Sequence, residues 1–233
     1  MPRPDRTIDF GLPPVQPWIR NLLVGAFLVW VLEMVLSTWV SVPLFAVLTW
    51  FPPGLEAPWT PLTRYFVQGP QVVSVLFGLF ALYFSLGVVD RHLHKRQIGA
   101  AALAAILGGT TLALLLGGTG ITYGPAWGWS SLASCSFALM GLVAPDVEIR
   151  LFFVLPVKGR HLVYYEGAIE LLFILATRNT SATEHFGAWC GVLAWWYLLG
   201  PGRKRRQLLK KGKKVEKASH LRVVQGGQDE NWH

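Results

Sequence analysis

Residues 117–143 read GGTGITYGPAWGWSSLASCSFALMGLV, a glycine-rich loop followed by an apolar segment that begins at Ser130. The segment from Ser130 to Val143 is apolar enough for a membrane helix but too short to cross a bilayer core of about 30 Å by itself. Irregular backbone at membrane depth is tolerated only inside protein or beside a water-filled cavity. The stretch therefore predicts a short helix packed inside a helical bundle, with a polar cavity on one side.

The rest of the chain has the composition of a membrane protein. Of its 233 residues, 52% are hydrophobic and 15% are charged, which is too apolar for an ordinary soluble domain of this size. Further apolar stretches approach the ~20 residues that cross a bilayer core. We predict spans at about residues 22–40, 72–89, 98–116, 162–176 and 186–199. With the short segment, the predicted fold class is an all-α polytopic membrane protein with six transmembrane helices.

The distribution of positive charge predicts the orientation of these spans. Of the 21 Lys and Arg residues, only Arg64 and Arg178 fall in loops on the side reached by the first, third and fifth spans. Because cytoplasmic loops are rich in Lys and Arg, both termini are expected in the cytoplasm, for a multi-pass protein of the bacterial inner membrane. The predicted domains are a cytoplasmic segment (1–20), a six-helix membrane domain (21–200) and a basic cytoplasmic tail (201–233).

The same charges bear on partners and cofactors. A net charge of +8 could indicate nucleic acid, but in so hydrophobic a chain we expect Lys and Arg to mark cytoplasmic loops, and no nucleic-acid partner. Anionic lipid is the expected partner of the basic tail, with a cytoplasmic protein as the alternative. The glycines between residues 117 and 124 lack the preceding strand and following polar helix of a nucleotide fingerprint. No cofactor and no metal are expected.

Four segments resemble, in chain order, motifs of the rhomboid superfamily of intramembrane serine proteases. SLASCSFALMGLVA (131–144), with PAWGW upstream, is similar to the fourth helix, where GxSG precedes an ALMG run. WTPLTRYFVQ (59–68) resembles the first-loop pattern WRxxTxxFLH. VSVLFGLFALYFSLG (73–87) resembles the second-helix HxxxN segment, and EHFGAWCG (184–191) resembles the sixth-helix AHxxGxxxG segment. The resemblance implies a six-helix rhomboid-like bundle with a short buried fourth helix.

At the catalytic positions the chain departs from the pattern that the resemblance implies. In the family, a fourth-helix serine is the nucleophile and a sixth-helix histidine is its base. Aligning the ALMG and GxxxG runs puts Ala133 at the nucleophile position and Glu184 at the base position. The second-helix residues that help to hold the oxyanion fall on Ser74 and Gly78, and Gln68 replaces a loop histidine. The chemistry of the family is therefore expected to be lost.

A displaced dyad is the fallback, because Ser134 and His185 each follow a family position by one residue. One step along a helix turns a side chain by about 100°, so both helices would have to rotate together. We favour a locally hydrogen-bonded Ser134 and a His185 that caps a helix end. Ser130 and Ser131 are interpreted as helix caps.

Small residues on the predicted helices indicate where the bundle packs closely. Gly187 and Gly191 have the GxxxG spacing that lets another helix approach. The predicted partner is the fourth helix, at Ala138 and Gly141. A contact inside the monomer is favoured over a dimer.

Three further carboxylates, Glu33, Glu166 and Glu170, fall in or at the edges of predicted spans. An ionised carboxylate in a membrane is costly enough to be a functional candidate. Glu166 and Glu170 share one helix face. Glu166 is expected to reach toward Lys158 and Arg160 at the cytoplasmic edge in preference to a role in transport. For Glu170, a protonated or internally paired carboxyl and a role in transport both stay open.

These observations lead to three functional hypotheses. The favoured one is a catalytically inactive rhomboid-like pseudoprotease that binds transmembrane segments of partner proteins, in an assembly, chaperone or scaffold role. The second is an active rhomboid-type serine endopeptidase with a displaced dyad of Ser134 and His185. The third is a structural subunit of a membrane complex. The distances from His185 to Ser134 and to Ser130 distinguish the first two best.

Overall fold

The computed structural model describes residues 15–40, 44–52, 59–151 and 155–203. The chain divides into two compact units, residues 1–192 and 193–233. The described ranges contain eight α-helices, namely α1 (Pro17–Trp39), α2 (Leu44–Leu48), α3 (Thr60–Thr63), α4 (Val72–Val89), α5 (Lys95–Gly118), α6 (Ser130–Val143), α7 (Gly159–Thr177) and α8 (Thr180–Leu198). Most of the predicted basic tail, and the anionic-lipid partner expected for it, lie outside the described residues.

The chain is mostly helical where apolar segments predict helices. Within the described ranges, α1, α4 and α5 are the three helices long and apolar enough to cross a membrane. They indicate a membrane protein. Helices α7 and α8 have 19 residues each, also long enough to cross, but they include charged and polar residues such as Glu166, Glu170 and Glu184.

The outer surface of the first unit supports a lipid environment. Large apolar side chains are exposed along α1, α4, α5 and α7, among them Leu28, Val73, Phe77, Leu107 and Leu172. Exposed apolar surface on this scale is unusual for a soluble monomer. In a bilayer it needs no protein partner, because hydrocarbon surrounds it.

The short helix α6 lies at the centre of the first unit, which confirms the prediction that it is packed inside the bundle. Its 14 residues include the fully buried Ala138 and Met140. It packs mainly against α4 and α7. The hydroxyls of Ser85 in α4 and Ser136 in α6 hydrogen bond each other, so a polar contact also joins these helices.

A small β-hairpin departs from the predicted all-α fold. Strand β1 (Glu148–Leu151) pairs antiparallel with β2 (Leu155–Lys158), in a register that puts Glu148 opposite Lys158. The sequence EIRL in β1 alternates charged and apolar residues, and that period of two favours a strand. The prediction treated this part of the chain only as a charged connection.

The predicted partner of the sixth-helix glycines is wrong. Gly187 and Gly191 lie against α5, not against α6. A Cβ added to Gly187 would lie 2.6 Å from the Gly108 carbonyl oxygen, and the Gly191 Cα would lie 2.9 Å from a Cβ added to Gly108. Ala104 contacts Gly191 through its carbonyl. Residues 104 and 108 form a second small-residue stripe at the same four-residue spacing, so the backbones of α5 and α8 meet closely.

Gly141 packs against another neighbour, the start of α7. A Cβ added there would meet the Gly159 carbonyl oxygen and would lie 2.8 Å from the Val163 side chain. Ala138, which was predicted beside Gly141 in the contact with α8, is fully buried. The predicted small residues therefore sit at close or buried positions, but they join different helix pairs from those predicted.

We expect Gly191→Leu to destabilise the protein, because the backbone of Ala104 leaves no room for a side chain there. Overpacking of a tight contact typically costs about 1–3 kcal/mol. Thermal unfolding in detergent measures the loss. Gly99→Leu is the matched control, because a Cβ at Gly99 in α5 meets nothing within 4 Å. Equal melting temperatures for the two variants would contradict the observed α5–α8 contact.

Candidate active site

The candidate site lies where the first two turns of α6 and α8 meet the middle of α7. Two loop contacts position these turns. Gly128, with φ of 90°, adopts a left-handed conformation that favours glycine, and its N–H donates to the Arg64 carbonyl at 2.9 Å. Tyr123 pairs with the α7–α8 turn, because its N–H donates to the Arg178 carbonyl at 3.0 Å and its carbonyl accepts from Thr180 at 3.1 Å.

Ser130, His185 and Glu170 form a hydrogen-bonded chain across the three helices. The Ser130 Oγ lies 2.9 Å from Nε2 of His185. The opposite ring nitrogen, Nδ1, lies 3.2 Å from Oε1 of Glu170. When the Glu170 carboxylate accepts from Nδ1–H, Nε2 can accept the proton of Ser130. This is the order of nucleophile, base and orienting acid found in serine hydrolases.

The chain of three residues is partly accessible. The His185 side chain is 18% exposed and that of Glu170 is 10% exposed, and Ser130 is half-buried. Ser130 is also the first residue of α6, where the leading backbone N–H groups of a helix have no partner inside the helix. Together with the helix dipole, these N–H groups stabilise a negative charge at the helix N-terminus.

The fallback dyad of Ser134 and His185 does not form, and the favoured local hydrogen bond of Ser134 is wrong too, because Ser134 binds a carboxylate of α7. Its hydroxyl donates to Oε1 of Glu170 at 3.3 Å, the same oxygen that faces His185. The interpretation of Ser130 as a helix cap is also wrong, since its side chain contacts His185. The histidine in turn bonds side chains of α6 and α7 and does not cap its own helix end.

The two positions that the resemblance assigns to the nucleophile and the base do not form a catalytic pair. Ala133 is buried and has no reactive group, and Glu184 is 1% exposed in a buried ion pair with Arg64, at 3.2 Å. The Ser131 hydroxyl donates to Oε1 of Glu184 at 3.2 Å, so Ser131 is not a helix cap either. The Arg64 guanidinium lies over the Trp50 ring, 4.4 Å from its centroid.

Two neutral side chains also contact Arg64. Its Nη2 donates to the Tyr65 hydroxyl at 2.7 Å and to the Thr110 hydroxyl at 2.9 Å. Burial, and secondarily the charge of Glu184, raise the pKa of the Tyr65 phenol above its ordinary value. The phenol is therefore protonated at neutral pH and contacts Arg64 as a neutral group.

Of the two predicted oxyanion positions, one is exposed and the other lies against the Trp129 indole. Ser74 is exposed on α4. A Cβ at Gly78 would lie 3.1 Å from the Trp129 indole nitrogen, so that indole fills the space beside it. Gln68 is buried, and its backbone N–H donates to Oε2 of Glu33 at 3.0 Å.

The remaining candidate carboxylates have other neighbours. Glu33 is 4% exposed and accepts the bond from Gln68. Glu166 lies near enough to Ser134 and Glu170 to interact with them, while Arg160, one of its two predicted partners at the cytoplasmic edge, pairs with Asp146. No group of three or more His, Cys, Asp and Glu side chains in the described ranges could hold a metal ion.

The chain matches no protein-family model, and no curated protein has significant sequence similarity to it. The rhomboid resemblance therefore depends on the four motifs alone. The sequence held one signal for the candidate nucleophile, since Gly128, Trp129 and Ser130 form the first three positions of a GxSG pattern. The alignment of the ALMG run placed the nucleophile one turn later, at Ala133.

Proposed function

We propose that the protein is an integral membrane serine hydrolase in which Ser130 is the nucleophile, His185 the general base and Glu170 the orienting carboxylate. The observation on which the proposal depends is the continuous chain of contacts, 2.9 Å from Ser130 to His185 and 3.2 Å from His185 to Glu170. A hydroxyl is a weak nucleophile until a base within hydrogen-bond reach removes its proton. The two distances meet that requirement.

The geometry assigns one task to each residue. The Ser130 oxygen attacks the carbonyl carbon of an ester or amide as Nε2 of His185 takes the hydroxyl proton. His185 returns that proton to the leaving alcohol or amine, and water, activated in the same way, releases the acyl group. Glu170 holds the ring tautomer and stabilises the imidazolium. The backbone N–H groups at the start of α6 are the candidate donors to the oxyanion.

The rhomboid resemblance suggests the class of substrate. A six-span bundle with both termini in the cytoplasm places the first turns of α6 and α8 near the outer face of the membrane. The substrate is then a peptide bond in or beside a transmembrane segment. Three apolar helices, a short buried α6 and two 19-residue helices with charged residues support this arrangement.

A fluorophosphonate probe tests the proposal directly. Such probes react with serines that a neighbouring base activates, and the adduct can be located by mass spectrometry of the full chain purified in detergent. We expect one adduct, on Ser130. An adduct on Ser134 would show that Ser134, and not Ser130, is the nucleophile. The absence of an adduct on any serine at neutral pH would exclude the hydrolase.

A second candidate is the binding pseudoprotease favoured by the sequence. The observation in its favour is that Ala133 cannot act as a nucleophile, while Arg64 neutralises Glu184 at the family base position. Site-specific photo-crosslinking to a synthetic single-span peptide in liposomes distinguishes the candidates. A crosslinked, uncleaved peptide, together with no fluorophosphonate adduct, would favour binding without chemistry.

The proposed topology makes a prediction about two exposed turns. A cysteine replacing Arg178, in the α7–α8 turn, should react with a membrane-impermeant maleimide applied outside intact cells. A cysteine replacing Arg91, in the turn before α5, should react only after lysis, because Lys and Arg concentrate on the cytoplasmic side. Cys190→Ala serves as the background, since the native thiol is exposed. The reverse labelling pattern would contradict the six-span orientation.

A further inference from the structure

An apolar slot runs along the first unit between α1 and α5, with α6 as its back wall. Its volume is about 720 Å³. Small residues line both sides, among them Gly25 and Ala26 of α1 and Ala101 and Ala102 of α5. The α6 residues in the wall include Ser136 and Leu139, whereas Ser130 and Ser134 belong to the candidate active site. The slot is therefore a separate feature.

The slot ends among positive charges. Trp18 and Asn21, near the start of α1, line this end. The Lys95 ammonium lies over the Trp18 ring, 5.9 Å from its centroid, and the indole N–H donates to Asp90 at 3.0 Å. The turn DRHLHKR that precedes and opens α5 contains Arg91, Lys95 and Arg96 against one acid, Asp90. Both α1 and α5 begin here, and helix N-termini also favour anions.

The size of the slot favours lipid chains over a helix. A transmembrane helix of 10–12 Å diameter that crosses a 30 Å core occupies roughly 3,000 Å³, more than the about 1740 Å³ of empty space in the slot and its open mouth. Acyl chains are slender enough to lie between the small residues of α1 and α5. Basic pockets at the cytoplasmic ends of transmembrane helices suit anionic head groups.

We propose that this slot binds one anionic phospholipid, with its acyl chains between α1 and α5 and its phosphate near Lys95 and Arg96. The lipid joins α1 to the rest of the unit along a line where the two helices otherwise leave a gap. Its binding is independent of Ser130, so this inference and the proposed hydrolase can fail separately.

Native mass spectrometry of the full chain in detergent, titrated with phosphatidylglycerol or phosphatidylcholine, tests the inference. We expect one phosphatidylglycerol to remain bound, and more tightly than phosphatidylcholine. The double variant Lys95→Gln, Arg96→Gln should lose most of that preference, with affinity for phosphatidylglycerol lower by roughly 25-fold, since each cation near the surface contributes about fivefold.

A steric pair of variants locates the lipid. Ala102→Trp fills the slot and should remove the bound lipid, whereas Leu103→Trp, on the exposed face of the same helix, should keep it. Equal retention of the lipid by both variants would overturn the inference. It would also be overturned if Ala102→Trp removed a dimer and no lipid, because a second copy of the chain would then occupy the slot. If Ala102→Trp does not fold, an unchanged preference for phosphatidylglycerol in the double variant Lys95→Gln, Arg96→Gln is sufficient to reject the inference.

Discussion

Ser130→Ala is expected to abolish both fluorophosphonate labelling and hydrolysis. In serine hydrolases the nucleophile and its base act as a unit, and removal of either lowers the rate by about 10⁴-fold or more. Because the Ser130 Oγ is 2.9 Å from His185, His185→Ala should have nearly the same effect. Glu170→Gln should also reduce the rate strongly, because it permits the wrong ring tautomer. The initial rate of adduct formation measures all three.

Two neighbouring serines are matched controls for this prediction. Ser131→Ala removes a hydroxyl that bonds Glu184, and Ser134→Ala removes one that bonds Glu170. Neither hydroxyl contacts His185. Ser131→Ala should keep nearly all of the labelling rate, and Ser134→Ala, which loses only a bond to the orienting carboxylate, should lose far less than Ser130→Ala. Equal loss in Ser134→Ala and Ser130→Ala would contradict the assigned nucleophile. Full labelling of Ser130→Ala would mean that another serine reacts, and the proposed chemistry would be wrong.

Arg64→Ala is expected to destabilise the fold more than any other single charge deletion proposed for this protein. Arg64 and Glu184 are 0% and 1% exposed, so deletion of the guanidinium leaves a buried carboxylate without its counter-charge. Breaking a buried pair in this way typically costs about 3–5 kcal/mol. The variant also loses the stacking of the guanidinium on the Trp50 ring. Denaturant or thermal unfolding in detergent measures the effect.

Two further variants separate burial from charge. Arg160→Ala breaks the pair with Asp146, whose side chains are 52% and 72% exposed, and should change stability by only about 0–1 kcal/mol. The double variant Arg64→Met, Glu184→Leu replaces both buried charges by apolar groups and should recover much of the lost stability. If Arg64→Ala unfolds no earlier than Arg160→Ala, the buried ion pair does not stabilise the fold.

The two candidate functions depend on different residues of the same site. The pseudoprotease hypothesis uses Ala133 and Glu184, which the resemblance places at the catalytic positions. The hydrolase proposal uses Ser130 and His185. Their contact was not predicted, because Ser130 was interpreted as a helix cap. Ser130 lies three residues before Ala133, hence on nearly the same helix face and about 4.5 Å nearer the start of α6. Relative to the positions that the resemblance implies, the candidate nucleophile is displaced from residue 133 to Ser130 and the candidate base from residue 184 to His185.

The sequence by itself determined the membrane character and most helices of this protein. Apolar segments and charged turns locate α1, α4, α5, α7 and α8, and α4 has the predicted bounds of Val72 and Val89. The short length of α6, between a glycine-rich loop and a charged segment, was enough to predict its burial. Length and hydropathy are local properties, so a single chain segment suffices to evaluate them.

Only the tertiary structure decided which side chains meet. The GxxxG spacing in α8 predicts a close contact but not its partner, and α5 has a small-residue stripe that fits as well as the one predicted in α6. Likewise, Ser130, His185 and Glu170 come from three helices. Their contact depends on how far each helix is rotated and shifted along its axis. A rotation of one residue, about 100°, changes every such pairing, and packing against all neighbouring helices sets that rotation.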